Sequence, residues 1–231
     1  MHIGIINAMH KEHEQLAALL DACHTEGGER FALTQGRYGP LRLTLMESGI
    51  GKVNAAVGCT ELIRSCMPDA IVNTGVAGGI DPSLRVMDVV AGERTAYHDV
   101  DCGPECPKGC VQGMPASFAA DPRLLATALR VKAEARVRAG LICTGDQFIT
   151  DAAQLRDIKS RYPEALAVDM ESAAIAQVCH IYGIPFLSFR IVSDTPGTEK
   201  HFDQYLNFWD TMAERSFGVT RALLDSLAGQ A

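Results

Sequence analysis

Asp194 closes the string FLSFRIVSD, an apolar run that reads as a buried strand, and Arg190 stands four residues before it. A carboxyl in such a place is often held partly out of water, where its pKa rises and it can donate a proton. Asp169-Met170-Glu171 sits at a second strand end and opens a helix, and Glu12 offers a further acid just past the first strand. Glu12 and Asp169 have a plain structural reading as well, because the helix dipole favours acids in a first turn. Gly75-Val76-Ala77-Gly78-Gly79 follows another apolar run, and three glycines in five residues suit either a turn or a close backbone approach to a ligand. In Gly145-Asp146-Gln147-Phe148-Ile149, Phe148 and Ile149 are large apolar residues where turns are usually polar. They are either core or the walls of a flat apolar slot.

Other chemistries lack their residues. The turn after the first strand, Asn7-Ala8-Met9-His10-Lys11-Glu12, has none of the glycines of a dinucleotide fingerprint. Gly49-Ile50-Gly51-Lys52 invites comparison with a P-loop, yet Met46 stands where its first glycine belongs and Val53 where its Ser or Thr belongs. Cys102, Cys106 and Cys110 follow His98 at four-residue spacing, which could suggest a zinc site. The spacing is not CxxC, and the intervening Gly103, Pro104, Pro107 and Gly109 break any helical face, so a reduced surface loop is the better reading. No GxSxG, HExxH or EF-hand pattern occurs.

The elements that must position these residues alternate. Residues 2–7 read as a strand and 9–20 as a helix carrying Leu16, Leu19 and Leu20 on one face. Strands over 30–38 and 41–47 flank Gly39-Pro40 as a hairpin, and a helix over 51–67 is stopped by Pro68. A strand over 69–74 runs into the glycine-rich segment, and 86–91 and 95–98 look extended. Residues 101–117 form a long aperiodic loop, and Asp121-Pro122 opens a helix to about residue 135. Strands over 137–144, 165–168 and 185–192 then alternate with helices over 151–162 and 170–182, the latter closed by Gly183. A last helix runs from 202 to 227. This order predicts the α/β class, a single three-layer αβα domain over 1–231 with a central mixed sheet and no linker. Ligands of such sheets bind outside the carboxyl ends of strands, which is where the acids above lie.

Bulk properties agree. At 231 residues the chain should bury about 70% of its unfolded surface, leaving about 10,000 Å² exposed. Hydrophobic residues are 47% and charged residues 21%, which excludes wholesale disorder. A net charge of -7 argues against a nucleic-acid surface or a polybasic membrane patch. No apolar run reaches about 18 residues, and charge appears by position 11, so no signal peptide or membrane span is read. Eight cysteines are too sparse for a disulfide scaffold in a domain of this size, and a cytoplasmic protein with reduced thiols is expected.

Several strings together resemble one family: IGIINAM with Glu12 following, ESGIGKVNAA, VNTGVAGGI, YHDVD, TGDQFI, VDMESAAIAQVC and RIVSD. In this order, over about residues 1–228, the chain resembles the 5'-methylthioadenosine/S-adenosylhomocysteine nucleosidases of the nucleoside phosphorylase superfamily. The resemblance implies hydrolysis of the N-glycosidic bond of 5'-thio-substituted adenosines, with 5'-deoxyadenosine a further substrate, and a homodimer. It implies Asp194 as the general acid to the adenine, Glu12 as the residue that holds and deprotonates water, and Arg190 beside them both as a partner of the water and as a countercharge. Glu171, helped by the Met170 backbone, would bind the ribose hydroxyls, Phe148 would stack on adenine and Ile149 would meet the base edge. Met9, Ile50 and Phe202 would wall the sugar and its 5' group. Val76, Ala77, Gly78, Asp169 and Ser193 complete the expected substrate site. Neither metal nor cofactor is implied.

Two places depart from the family pattern. Val76 stands where many members carry a serine that helps position the water, and the 102–114 loop has CGPECPKGC in place of apolar and aromatic residues. Three other readings stay open at this stage. They are a nucleosidase of futalosine, adenosine or inosine type, a purine nucleoside phosphorylase, and a non-catalytic adenine-nucleoside binding protein. Glu12 argues against the phosphorylase, because a carboxylate beside the nucleophile repels phosphate.

Overall fold

The apolar run after Met1 forms β1 (His2–Asn7), and its side chains divide between two cores, Ile3 and Ile5 in one and Ile6 in the other. The structure is a computed structural model that describes residues 1–28, 30–195 and 201–230, apart from the side chains at 201, 202, 210, 211 and 213. After β1 come α1 (His10–Ala17), β2 (Asp21–Glu26), β3 (Leu33–Tyr38), β4 (Leu41–Glu47), α2 (Lys52–Cys66) and β5 (Ala70–Gly79). The middle of the chain holds β6 (Val89–Tyr97), β7 (Phe118–Ala119), α3 (Pro122–Ala128), β8 (Val137–Thr144) and α4 (Ala152–Arg161). The last part is β9 (Ala165–Asp169), α5 (Ser172–Tyr182), β10 (Phe186–Asp194), α6 (His201–Thr211) and α7 (Ala213–Ala228).

All the strands belong to one mixed sheet. β1 pairs in parallel with β4 on one side and β5 on the other, while β3 and β2 extend the β4 edge antiparallel. β5 also takes β10 in parallel, β10 takes β6 antiparallel, and β6, β8 and β9 follow in parallel. β9 then returns to β5, pairing Val168 with Gly78 and Ala167 with Gly79, so β5, β10, β6, β8 and β9 close into a ring. One sheet face buries Leu16 of α1, Leu124 of α3, Phe208 of α6 and Leu223 of α7 against Ile3, Val72 and Phe189. The opposite face buries Cys59, Leu62 and Ile63 of α2 and Ile175 of α5 against Ile6, Ile71 and Phe186. This alternation follows from the two-residue period of strands with both faces covered. The fold exposes 10540 Å² of surface.

The helix ends match their sequence signals. Asp121 caps α3 by accepting from the Arg123 and Leu124 amides, and Gly183 ends α5 at φ 68°. Five expectations need correction. The 75–79 segment is not a turn, because β5 continues through it, and Gly79 is needed there since a Cβ would lie 2.8 Å from Val192 Cγ1. β2 was not foreseen. The segments at 86–91 and 95–98 are one strand, β6, and the last helix is two, divided at Met212. α3 ends at Ala128, seven residues short of the expected 135. Among the described residues no helix is long and apolar enough to cross a membrane.

Candidate active site

Six strands aim their carboxyl ends at one cavity of about 670 Å³, its mouth included, lined by residues just past β1, β4 and β8 and by the ends of β5, β9 and β10. The chain reaches it by local distortions. Val76, Ala77 and Gly78 are consecutive in β5 and all line the cavity, which a flat strand would not allow. Ser193 and Asp194 both line it because the β10 register shifts between Val192 and Asp194, a bulge that re-aims the strand end. Asp194 is 2% exposed and accepts a hydrogen bond from Ser193 Oγ at 2.7 Å.

Glu12 enters from the first turn of α1, where Met9 N donates to its Oε2 at 3.3 Å. Burial pushes its carboxyl up to about 7, outweighing the downward pull of Arg190, while Glu171 pushes the same way. Gly75, at φ 139°, lets this acid and Arg190 converge. A Cβ there would stand 2.7 Å from Arg190 Nη1 and 2.9 Å from Glu12 Oε1. A glycine is therefore required twice over, by conformation and by space.

Arg190 is 1% exposed and its charge is neutralised inside the protein. Its Nη2 lies 2.8 Å from Asp169 Oδ2 and 3.1 Å from Glu171 Oε2, and donates to Asn73 Oδ1 at 2.6 Å. Burial of so many partners is what makes the arrangement tolerable, since a buried guanidinium without them would be costly. Asp169 lines the cavity, but both its oxygens are engaged: Thr144 Oγ1 donates to Oδ1 at 2.6 Å, and Ser172 Oγ and Arg190 hold Oδ2. Asp169 therefore both lines the cavity and holds Arg190 in place. Glu171 is held by Gly51 N at 3.0 Å to Oε1, and burial raises its carboxyl above the ordinary range despite Arg190.

The apolar side of the cavity is formed by Phe148, 41% exposed, and the buried Ile149, with Ile50, Met9 and Met170. Phe202 begins α6, and its side chain lies outside the described residues. Tyr205, one turn on, lines the cavity and meets Phe148 edge-on at 5.3 Å between ring centres. Sequence reasoning missed Tyr205, Ala8, Gln147 and Val168. The aromatic spacing of Phe202, Tyr205, Phe208 and Trp209 is the signal that could have found the first. Val76 lines the cavity with an apolar side chain.

Four carboxyl groups and one guanidinium thus line the cavity. Among the described residues lining the cavity Arg190 is the single cation, and no cluster of three or more His, Cys, Asp or Glu anywhere in them could hold a metal ion. The thiols at 102, 106 and 110 are free, and Cys106 Sγ donates to Cys110 O at 3.2 Å. Such a cavity suits proton transfer to and from a neutral or cationic ligand with a flat apolar part, and disfavours a phosphate.

Comparison with known proteins agrees with that chemistry. The sequence profile of the phosphorylase superfamily matches residues 2–225. The chain is 41% identical, over 97% of both chains, to the 5'-methylthioadenosine/S-adenosylhomocysteine nucleosidase of Chromohalobacter salexigens. It is 42% identical to that of Actinobacillus succinogenes, over 89% of this chain and 92% of the relative. A crystal structure of the Neisseria meningitidis nucleosidase in complex with methylthio-immucillin-A superposes with a TM-score of 0.91, at 38% identity, covering 97% of this chain and 99% of that one.

Proposed function

Because the chain belongs to the phosphorylase superfamily and, within it, to the 5'-methylthioadenosine/S-adenosylhomocysteine nucleosidases, we propose that its cavity is the active site of that reaction. The protein hydrolyses the N-glycosidic bond of 5'-methylthioadenosine and S-adenosylhomocysteine, releasing adenine and the 5-substituted ribose. One observation carries the assignment of roles: a single cavity is lined by the buried Asp194, by Glu12 with its raised pKa, and by Glu171 and Phe148 between base and sugar chemistry.

In this reading adenine lies against Phe148 and Ile149, and Asp194 gives its proton to nitrogen 7 as the bond from nitrogen 9 to the anomeric carbon breaks. Glu12 takes a proton from water as the water oxygen bonds to that carbon. Glu171 accepts from the ribose hydroxyls, and its charge steadies the oxocarbenium-like sugar. Asp169 acts through Arg190, holding the guanidinium so that Glu171 and Glu12 keep their places. Ile50, Met9, Met170 and Tyr205 surround the apolar 5' end. Val76 leaves water orientation to Glu12, Arg190 and backbone groups. The phosphorylase alternative requires a phosphate among four carboxyl groups with one guanidinium already paired.

The direct test is adenine release in phosphate-free buffer from methylthioadenosine, S-adenosylhomocysteine, 5'-deoxyadenosine, adenosine and inosine. Release from the two thioadenosines without phosphate is expected. A strict phosphate requirement with a sugar 1-phosphate as product would make the protein a phosphorylase, and tight binding without turnover would make it a binding protein.

We also infer a homodimer and a cytoplasmic location for a single domain spanning the chain. The dimer is supported by an apolar stripe beside the cavity, where Ile50, Val53 and Val57 are 52%, 73% and 41% exposed at helical spacing. Sedimentation equilibrium should give twice the 24.9 kDa chain mass, and a monomer at micromolar concentration would refute the dimer. The location is supported by cysteine usage, eight residues in 231, too sparse for a disulfide scaffold in a domain of this size.

A further inference from the structure

Lys52, Asp99 and Asp146 come from three distant strings and have no part in the chemistry above, yet they meet at one side of the cavity. Lys52 Nζ donates to Asp99 Oδ2 at 2.7 Å and lies 3.8 Å from Asp146 Oδ2. Asp146 N donates to the same Asp99 oxygen at 2.9 Å, and Asp146 Oδ1 accepts from Lys52 N at 2.8 Å. Lys52 also lies over the Tyr97 ring, 5.5 Å from its centre. Gly145 permits the approach, since a Cβ there would lie 2.3 Å from His98 Cε1 and 2.9 Å from Asp99 Cγ.

The consequence lies in what each member is attached to. Lys52 is the first residue of α2, whose amino terminus attracts anions. Two acids use that terminus: Glu171 accepts from Gly51 N at 3.0 Å, and Asp146 accepts from Lys52 N. Asp146 precedes Phe148 by two residues, and Ile50 precedes Lys52 by two. The amino end of α2 therefore registers the base side of the cavity, through Asp146, against its sugar side, through Glu171 and Ile50. Asp99 fastens both to the end of β6.

We propose that Lys52, Asp99 and Asp146 form a clamp of positioning residues that sets the distance between the adenine slot at Phe148 and Ile149 and the ribose carboxylate Glu171. The clamp touches no reacting atom. Its loss weakens ground-state and transition-state binding alike, which raises KM and spares kcat.

The test uses Lys52→Met, Asp146→Ala, their double variant and Lys52→Arg, read by steady-state kinetics, by calorimetric titration with adenine and by thermal melting. Asp146 is half exposed, so its variant places little demand on folding. Each single loss should raise KM and the adenine Kd about tenfold, the scale of one hydrogen bond to a charged group, with kcat within about twofold. The double variant should be no worse than the poorer single, and Lys52→Arg should recover most of the affinity. Unchanged KM and adenine affinity in both single variants would overturn the clamp. So would a fall in kcat at constant KM, or losses that add in the double variant and follow the melting temperature. The proposal rests on the nucleosidase reading, and adenine titration separates their failures. Wild-type protein that neither binds nor releases adenine overturns that reading, whereas variants that bind adenine as the wild type does overturn only the clamp.

Discussion

Asp194→Asn should lose adenine release from methylthioadenosine by at least about a hundredfold and up to about ten-thousandfold, the range that proton transfer by a positioned side chain supplies. Asparagine keeps the shape of the side chain, and its carbonyl can still accept from Ser193 Oγ, which now donates to Asp194 at 2.7 Å. What it removes is the transferable proton. Adenine leaving as an anion is a poor leaving group, so the missing proton is felt in the bond-breaking step rather than in binding. KM should therefore move little while kcat collapses. A nitrophenyl 5-methylthioriboside, linked through oxygen at the anomeric carbon so that nitrophenolate departs without protonation, should be cleaved by the variant at a rate close to that of the wild type. If the variant released adenine within about tenfold of the wild-type rate, Asp194 would not be the acid. Equal losses on both substrates would mean a damaged site rather than a missing proton.

Why Asp194 could be found in the sequence, and its surroundings only partly, is a matter of range. An acid at the end of FLSFRIVSD is a local pattern, and so are the alternating apolar runs that predict a covered mixed sheet. The hairpin at Gly39-Pro40 and the caps at Asp121 and Gly183 are local too. β2 escaped because its six residues, DACHTE, are all exposed and carry no alternation, as an edge strand needs none. The 75–79 segment was ambiguous for the opposite reason. Its glycines look like a turn in isolation, but they are small because β10, β9, Glu12 and Arg190 all approach β5 there.

Pairings between distant residues were least visible. Asp169 reads as one acid among three at strand ends. Only the fold brings Arg190, 21 positions later, onto its carboxylate. Likewise 47 residues separate both Lys52 from Asp99 and Asp99 from Asp146, and no periodicity links them. Tyr205 was hidden because the spacing of the α6 aromatics does not say which of them line the cavity. The strings that support the family resemblance contain several of these residues without revealing what each one touches.

Glu12→Gln should lower kcat at least about a hundredfold, because glutamine can hold a water but cannot take its proton. Unusually for a loss of function, it should also stabilise the fold. The Glu12 carboxyl titrates at about 7 in the native protein against an ordinary value of 4.5. The native state thus binds the proton more tightly than the unfolded chain, and stability falls as pH rises from about 4.5 to 7. Above 7 the whole cost is present, up to about 3 kcal/mol at about 1.4 kcal/mol per unit. Glutamine never ionises, so at pH 8 the variant should melt about 5–10 °C higher, given roughly 2–4 °C per kcal/mol for a chain of this size. Well below pH 4.5 the two proteins should melt together, since Glu12 is then neutral in both states. The same pKa governs activity with the opposite sign: wild-type kcat/KM should fall about tenfold per unit below pH 7, where the base is protonated. An unchanged rate in the variant would remove Glu12 from the chemistry. A melting difference that ignored pH would mean that its buried charge is not what the fold resists. The expected loss of rate and the pH-dependent gain in melting temperature together would describe one carboxylate that the protein keeps out of water, at a cost in stability, because the attacking water needs a base near neutrality.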